Sequence, residues 1–417
     1  MKKCILVCSL VLGLSVWATP SVTLHRFQQR YPWNGNFDID YTIADMGQYP
    51  EDYRLEFSVS AETDAGTKVF APSNFFDWAA CDLPVTDGTY RVTWDAAADG
   101  AVFRSKNVTV TANLVYAPVT DADASYMILD LSGGPAAERY PIKYVAGEID
   151  SSQFNKTVYK TSRLVMKKVP HCSFWMGEGS NGNIASTKRH YVTLTEDFFL
   201  GLFPVTQAQY LNVCGVQPPV AKGYKNYYGD LKPVYDITWN NINGIDMTDP
   251  AFLPQLRVKA TYHDMGEARF DLPTESQREC ACRAGTLTAY PWGANDANDA
   301  DRYLWSSSNS GLTLKDVGLK LPNPWGFYDI CGLISEWVYD WKADYPTGTE
   351  ESPDINPKGP DQGAAKILRG ANCFHVNSAN ANSGYRTYAY VPTTDRVSAQ
   401  HYVFGFRLAL TLSADNN

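Results

Sequence analysis

Short motifs built from glycine, proline and tryptophan recur through the second half of the chain and limit what it can fold into. Pro291-Trp292-Gly293 and Pro322-Asn323-Pro324-Trp325-Gly326 are two of them. Glycine permits turns that other residues disfavour, proline fixes φ, and tryptophan supplies large apolar area where regular elements are few. With 30 Gly, 24 Pro and 13% aromatic residues among 417, the composition favours rings packed between loops over long helices.

The N-terminus has the pattern of an export signal. Lys2 and Lys3 precede an apolar run from Ile5 to Trp17, which ends in the small-residue pattern Val16-Trp17-Ala18. We therefore predict a signal peptide over residues 1–18, and a mature protein that is periplasmic, extracellular or at the cell surface. No later stretch is apolar enough for a transmembrane segment. A net charge of −9 and a pI near 5.2 argue against nucleic acid as a partner.

Two of the nine cysteines, Cys4 and Cys8, lie in the predicted signal peptide, which leaves seven. Seven is odd, so at least one thiol has no partner within the chain. Cys280 and Cys282 are two apart on a predicted helix, so they point to different sides and cannot bridge each other. We expect mostly buried thiols and about one disulfide bridge.

The chain divides by its patterns into three parts after the signal. Residues 19–115 show alternating strands, such as Tyr53 to Val59, separated by turns such as Asp87-Gly88, and they predict an immunoglobulin- or fibronectin III-like β-sandwich. Residues 116–159 are predicted to be a linker with some strand content, including Tyr126 to Leu131. Residues 160–412 are predicted to be an α+β domain with a high loop content.

Helices of this last domain begin with capping boxes. Thr206 with Gln209, and Thr274 with Gln277, have the spacing in which each side chain bonds the other's backbone. A third helix is predicted from Pro250 to about Thr261. In the helix after Thr274, three charged residues repeat at every fourth position and therefore share one face: Glu275, Glu279 and Arg283.

Read in order, the motifs of the second half resemble the formylglycine-generating enzyme (sulfatase-modifying factor) family. The resemblance implies that family's C-type-lectin-like fold over residues 160–412 and leaves the first 159 residues outside it. The matching pieces are Phe174-Trp175-Met176-Gly177, Phe203-Pro204-Val205-Thr206, Pro233-Val234, Thr238-Trp239, Leu272-Pro273-Thr274-Glu275, Arg283-Ala284-Gly285, Pro291-Trp292-Gly293, Pro322 to Asp329, Gly332 to Trp337, Leu368-Arg369-Gly370 and Gly405-Phe406-Arg407.

The resemblance departs from the family at the catalytic cysteines. Formylglycine-generating members carry two thiols after their Arg-Gly motif, which bind copper and activate oxygen. Ungapped alignment places His375 and Asn380 at those two positions, and Cys373 lies two residues early. We therefore expect no formylglycine-generating activity. The alternative is a metal-dependent oxidoreductase with a remodelled centre at Cys373 and His375.

A second branch of the family uses non-haem iron held partly by a His-x-x-x-Glu pair. His263 and Glu267 have that spacing, but Gly266 lies between them and the flanks are polar. We interpret this segment as a surface loop. Copper and iron are therefore not expected as cofactors.

A structural calcium ion is the cofactor that the resemblance supports. Mapped residue by residue, its ligands would be the side chains of Asp329 and Glu336 and the carbonyl groups of Gly332 and Ile334. Oxygen ligands on an irregular loop suit calcium. The alternative is that Glu336 is buried and paired with an arginine.

These observations predict an exported, non-catalytic binding protein for a glycan or a peptide or protein ligand. Aromatic and amide side chains on loops over a rigid scaffold suit such recognition. The alternative is a variable protein of a diversity-generating retroelement, because no Lys, Met, Trp or Glu occurs between Ala371 and Phe404. The predicted binding residues are Asn372, Phe374, His375, Asn377, Tyr385, Arg386, Tyr388 and Tyr390.

Overall fold

The computed structural model describes residues 19–31, 35–105, 107–177, 189–218, 227–244, 250–261, 263, 270–294, 296–374, 376–377, 381–391 and 403–412. The chain divides into two compact units. The first contains the described residues before Phe76 together with Asp82–Tyr116, and the second contains Phe76–Cys81 and the described residues from Ala117 onward.

The first unit is a small β-sandwich. Two antiparallel sheets, each with three strands in the described ranges, have the orders β1-β2-β5 and β4-β3-β6. Rings from both sheets form the core, where Tyr41 meets Phe57 edge-on at 5.6 Å between ring centroids. The predicted all-β fold of this part is confirmed. The strands are β1 (Ser21–Gln29), β2 (Asn36–Ala44), β3 (Tyr53–Thr63), β4 (Gly66–Phe70), β5 (Gly88–Asp95) and β6 (Val108–Tyr116).

The second unit is built on a mixed sheet with the order β13-β8-β7-β9-β12-β20-β14, as far as the described residues show. Its first strands come from the segment predicted as a linker, and they are hydrogen-bonded to the rest of the sheet. Strand β7 is buried on both faces, since its first four residues are all inaccessible. The strands are β7 (Tyr126–Asp130), β8 (Tyr140–Val145), β9 (Arg163–Val169), β12 (Phe198–Gly201), β13 (Ala260–Thr261), β14 (Phe270–Asp271) and β20 (Ala409–Thr411).

Two further sheets in the same unit are described. One has the order β10-β11-β16 and the other β18-β17-β15-β19. In the second, β17 lies between β15 and β18 in antiparallel pairing, and β19 runs parallel to β15. Their strands are β10 (Cys172–Met176), β11 (His190–Leu194), β15 (Ser335–Trp341), β16 (Asp354–Ile355), β17 (Ala365–Arg369), β18 (Arg386–Tyr390) and β19 (Phe404–Phe406).

The described helices are short, and the capping boxes begin where the sequence predicts them. Thr206 caps α1 and Thr274 caps α4, in each case with the third helical residue bonded back to the cap. The third predicted helix is confirmed as α3. None of the described helices is long and apolar enough to cross a membrane. The helices are α1 (Gln207–Cys214), α2 (Trp239–Asn243), α3 (Phe252–Lys259), α4 (Glu275–Arg283) and α5 (Ala300–Tyr303).

Candidate functional site

Helix α4 carries charged side chains into the core of the second unit, and all nine of its residues are buried. Glu275 accepts two hydrogen bonds from Arg386, at 2.7 and 3.0 Å, and a third from Arg369 at 3.1 Å. Glu279 accepts from Arg369 and, at 2.8 Å, from Arg283. Buried charges are tolerated when they are paired and hydrogen-bonded in this way. The charged face that the sequence predicts on this helix is therefore an internal ion-pair network.

Glu336 on β15 extends the network to two more arginines. Its carboxylate accepts from Arg278 Nε at 2.6 Å and from Arg407 at 3.1 Å. All three residues are almost completely inaccessible. Burial opposes the ionisation of Glu336, but the two guanidinium groups outweigh it and lower the pKa of the carboxyl group. The arginine-paired alternative for Glu336 is the arrangement that the structure has.

Of the four predicted calcium ligands, the two carboxylates are both engaged by groups of the protein. The Glu336 carboxylate is already engaged by two cations, so a divalent ion beside it would meet like charges. Asp329 accepts from the Gly318 amide at 2.7 Å, and burial raises the pKa of its carboxyl group to about 6. Within the described ranges, no group of three or more His, Cys, Asp or Glu side chains is arranged to hold a metal.

The loop after β17 holds the single cysteine that the sequence offers as a catalytic candidate. Cys373 is fully buried. Its amide donates to Leu333 and its carbonyl accepts from the Ser310 hydroxyl. Burial raises the pKa of the Cys373 thiol to about 12, so this sulfur is neither a thiolate nor accessible. His375, the other candidate, lies outside the described residues.

Two of the predicted binding residues have structural roles. Asn372 is buried, its amide nitrogen donates to the Ser335 hydroxyl, and its oxygen accepts from the Phe374 amide. Arg386 is 3% exposed and is held by Glu275. Neither side chain is presented to a ligand in this conformation. The turn after β17 and the start of β18 are instead fixed by these two polar side chains.

Aromatic side chains of the predicted set fall in two places. Phe374 is half-buried and meets Tyr227 edge-on at 5.3 Å, and Tyr227 in turn meets Tyr235 at 5.5 Å. Tyr388 and Tyr390 lie on β18, an outer strand of its sheet as described, with their rings 5.8 Å apart. Of the remaining members, Tyr385 is partly buried and Asn377 is exposed.

Strand β18 carries two tyrosines, Tyr388 and Tyr390, that have the features of a contact surface. Tyr390 is 68% exposed, and the Lys342 ammonium lies 3.7 Å from the centroid of the Tyr388 ring. Trp305 is a further aromatic residue beside cations. The ammonium groups of Lys320 and Lys315 lie 3.9 and 5.4 Å from the centroid of its ring. Sequence reasoning missed these lysines and Tyr227, because their ring partners are distant in sequence.

Comparison with known proteins places this architecture in a family. The family described as "Sulfatase-modifying factor enzyme 1-like domain" matches residues 152–412. The chain belongs to this family. The resemblance read from the motifs is thereby confirmed, and so is the α+β fold with many strands and loops.

Several curated proteins are similar to this chain over part of their length. A formylglycine-generating enzyme of Thermomonospora curvata is 33% identical over 151 residues, which is 33% of this chain and 48% of that protein. A serine/threonine-protein kinase pkn1 of Chlamydia pneumoniae is 26% identical over 235 residues, which is 51% of this chain and 36% of that protein. The chain thus spans less than half of the length of these relatives.

A solved structure, the Treponema denticola variable protein 1, covers 60% of this chain and 95% of its own at 25% identity, with a TM-score of 0.46. The two positions that would carry the catalytic cysteines of formylglycine-generating members, His375 and Asn380, lie outside the described residues.

Proposed function

We propose that this family member is an exported, non-catalytic binding protein that recognises a glycan or a peptide through two aromatic residues of β18, the half-buried Tyr388 and the exposed Tyr390. The observation that carries the proposal is the pair Tyr388 and Tyr390 on a strand whose first residue, Arg386, is held by Glu275. Aromatic rings with a neighbouring ammonium group, here Lys342, provide both apolar contact and a polar partner.

The state of Cys373 supports a role without oxidation chemistry. A copper-binding or nucleophilic sulfur must be a thiolate with access to its partner. The Cys373 thiol is buried and its pKa is raised to about 12. The rival oxidoreductase hypothesis requires copper or iron in the purified protein. Metal analysis combined with an oxygen-consumption assay on a cysteine-containing sulfatase-type peptide tests that hypothesis directly.

Array binding tests the proposed surface. The protein is applied to glycan and peptide arrays, and its best ligand is then titrated against a Tyr388→Ala/Tyr390→Ala double variant. We expect at least a tenfold loss of affinity, because each ring removed forfeits about 1 kcal/mol or more of contact. The matched control is Tyr116→Ala, since Tyr116 is 62% exposed on a strand of the other unit. Equal affinity of the double variant and the control would refute this surface.

Export is part of the proposal and has its own test. The apolar run that ends at Ala18 supports it. Expression in a bacterial host with an oxidising periplasm, followed by N-terminal sequencing, should give a mature chain that begins at Thr19. A protein that keeps Met1 in the cytoplasmic fraction would contradict export.

A second candidate function, that of a variable protein, is favoured by the residue content between Ala371 and Phe404. Asparagine occurs there at 372, 377, 380 and 382. AAC-type codons in which only adenines mutate cannot give Lys, Met, Trp, Glu or Gln, and Gln400 would then be a fixed position. The gene should carry AAC-type codons at these asparagines and a nearby template copy. Absence of both would exclude this candidate.

A further inference from the structure

Four of the seven described cysteines meet around helix α4. Cys280 and Cys282 lie on the helix, Cys331 lies on the turn before β15, and Cys172 begins β10. All are thiols in the structure. Cys280, Cys282 and Cys331 belong to one buried cluster, and Cys172 packs against it. The helix thus carries one thiol toward each of two neighbouring elements.

The first pair is Cys282 and Cys331. Their sulfur atoms are 3.4 Å apart, and each residue is 3% exposed. This separation is that of touching, non-bonded atoms. A disulfide has a sulfur–sulfur distance of about 2.05 Å, so a movement of about 1.4 Å shared between two side chains would bring the sulfurs into bonding range.

The second pair is Cys280 and Cys172. Cys172 begins β10, the strand that helix α4 contacts, and it packs against the buried cluster that contains Cys280. Cys280 and Cys282 cannot compete for one partner, because residues two apart on a helix point to different sides. The two helix thiols therefore face different neighbours, Cys282 toward Cys331 and Cys280 toward the strand that Cys172 begins.

A metal does not account for these pairs. Structural zinc takes four protein ligands and soft metals favour clustered sulfurs. In the described part of the chain, no third His, Cys, Asp or Glu joins either pair in a metal-binding arrangement. Arg278 lies beside Glu336 in the same region, and its positive charge also disfavours a bound cation.

We propose that Cys282 with Cys331 and Cys172 with Cys280 form two disulfide bonds that staple helix α4 to the turn before β15 and to β10. Each disulfide forms as two S–H bonds break, which releases two electrons and two protons. An oxidising dithiol-exchange protein accepts them, and its own disulfide is thereby reduced to a dithiol. Because the sulfurs are buried in the folded unit, both bonds form during folding and are afterwards protected from reductants. Cys81, Cys214 and Cys373 take no part in either bond.

Peptide mapping tests the two bonds without depending on export or on the ligand. The full chain is refolded in a glutathione redox buffer, alkylated in denaturant without reduction, and cut with trypsin. Arg278 and Arg283 flank both helix cysteines, so they fall in one short peptide, 279–283. We expect a single three-peptide species that joins 279–283 to 169–188 and to 321–342, lighter than the sum of its reduced peptides by four hydrogens.

Two serine variants assign the partners, and a third is the control. Cys282→Ser should release 321–342 with an alkylated Cys331 and leave 169–188 joined to 279–283. Cys280→Ser should give the reverse result. Cys214→Ser, which removes a buried thiol on α1 outside both pairs, should leave the three-peptide species unchanged. Alkylation of all four cysteines in the refolded wild-type chain would overturn the proposal, and so would linkage of any of them to Cys81, Cys214 or Cys373.

Discussion

Replacing Glu336 by glutamine tests whether the buried ion-pair network holds the second unit together. The carboxylate lies between Arg278 and Arg407, at 2.6 and 3.1 Å. Each guanidinium–carboxylate contact is worth about 4 kcal/mol at an effective dielectric constant of about 20. Burial of the carboxylate opposes this gain by several kcal/mol. Glutamine removes the charge, keeps the shape, and turns an amide N–H toward donors that need an acceptor.

The expected cost of Glu336→Gln is therefore about 3–5 kcal/mol, since two buried cations lose their shared partner. Urea unfolding followed by tryptophan fluorescence measures it, and the midpoint should fall by about 1–2 M at a slope near 3 kcal/mol/M. The matched control is Asp299→Asn, which breaks a pair with Arg302 whose side chains are 56% and 61% exposed. That change should cost less than about 0.5 kcal/mol.

A second substitution should partly restore the stability of the Glu336→Gln variant. Adding Arg278→Met to the Glu336→Gln chain removes one of the two stranded cations, so it should recover part of the lost stability. If Glu336→Gln costs no more than the exposed control, the reasoning about the network is refuted. The reasoning is also refuted if Arg278→Met lowers the stability of the Glu336→Gln variant further instead of raising it.

Three other outcomes follow from the charges in the core. The pKa values of Glu279 and Glu336 are lowered by neighbouring arginines against the effect of burial. The stability that these two carboxylates contribute above pH 4.5 should therefore be lost as the pH falls through their pKa values in the folded protein. Urea midpoints measured from pH 7 to pH 3 will record this loss. Burial, with the Glu275 carboxylate, raises the pKa of Asp340 to about 8, so the contribution of this residue to stability should become less favourable as pH rises from 3.8 to 8. Asp340→Asn should therefore gain about 1 kcal/mol or more over wild type at pH 8 in the same assay. Millimolar calcium or a chelator should move Tm by less than about 1 °C in a thermal scan, because the Glu336 carboxylate is engaged by arginines, whereas a rise of several degrees would establish a calcium site.

Local patterns of the sequence predicted local structure well. The capping boxes at Thr206 and Thr274 involve residues three apart, so both members can be read directly. Strands of the first unit alternate because one face of each sheet is exposed. Strand β7, Tyr126–Asp130, lies between β8 and β9 and is buried on both faces. It lacks that alternation, and its partners are distant, so the sequence could not show that residues 116–159 contribute to the central sheet.

The candidate site was harder to predict because burial decides which polar residues are available. Arg386 and Tyr388 are two apart on β18 and look equally suitable as ligand contacts in the sequence. In the structure, Arg386 is bound by Glu275 from a helix 111 positions earlier, whereas Tyr388 meets Lys342 and Tyr390. The sequence around Glu336 is likewise ambiguous between a metal ligand and an arginine partner, whereas the structure pairs Glu336 with Arg278 and Arg407.

The position of Arg407 has a consequence for the order in which the second unit can fold. Helix α4 and strand β15 are complete by Trp341, but Glu336 receives its second cation only when the chain has been made as far as Arg407. Strand β20, which follows directly, separates β12 from β14 in the central sheet. A ribosome-bound chain that ends before these residues lacks both a sheet strand and a counter-charge. Closure of this core is therefore a late, cooperative event in synthesis, and early-made segments must wait in an open state.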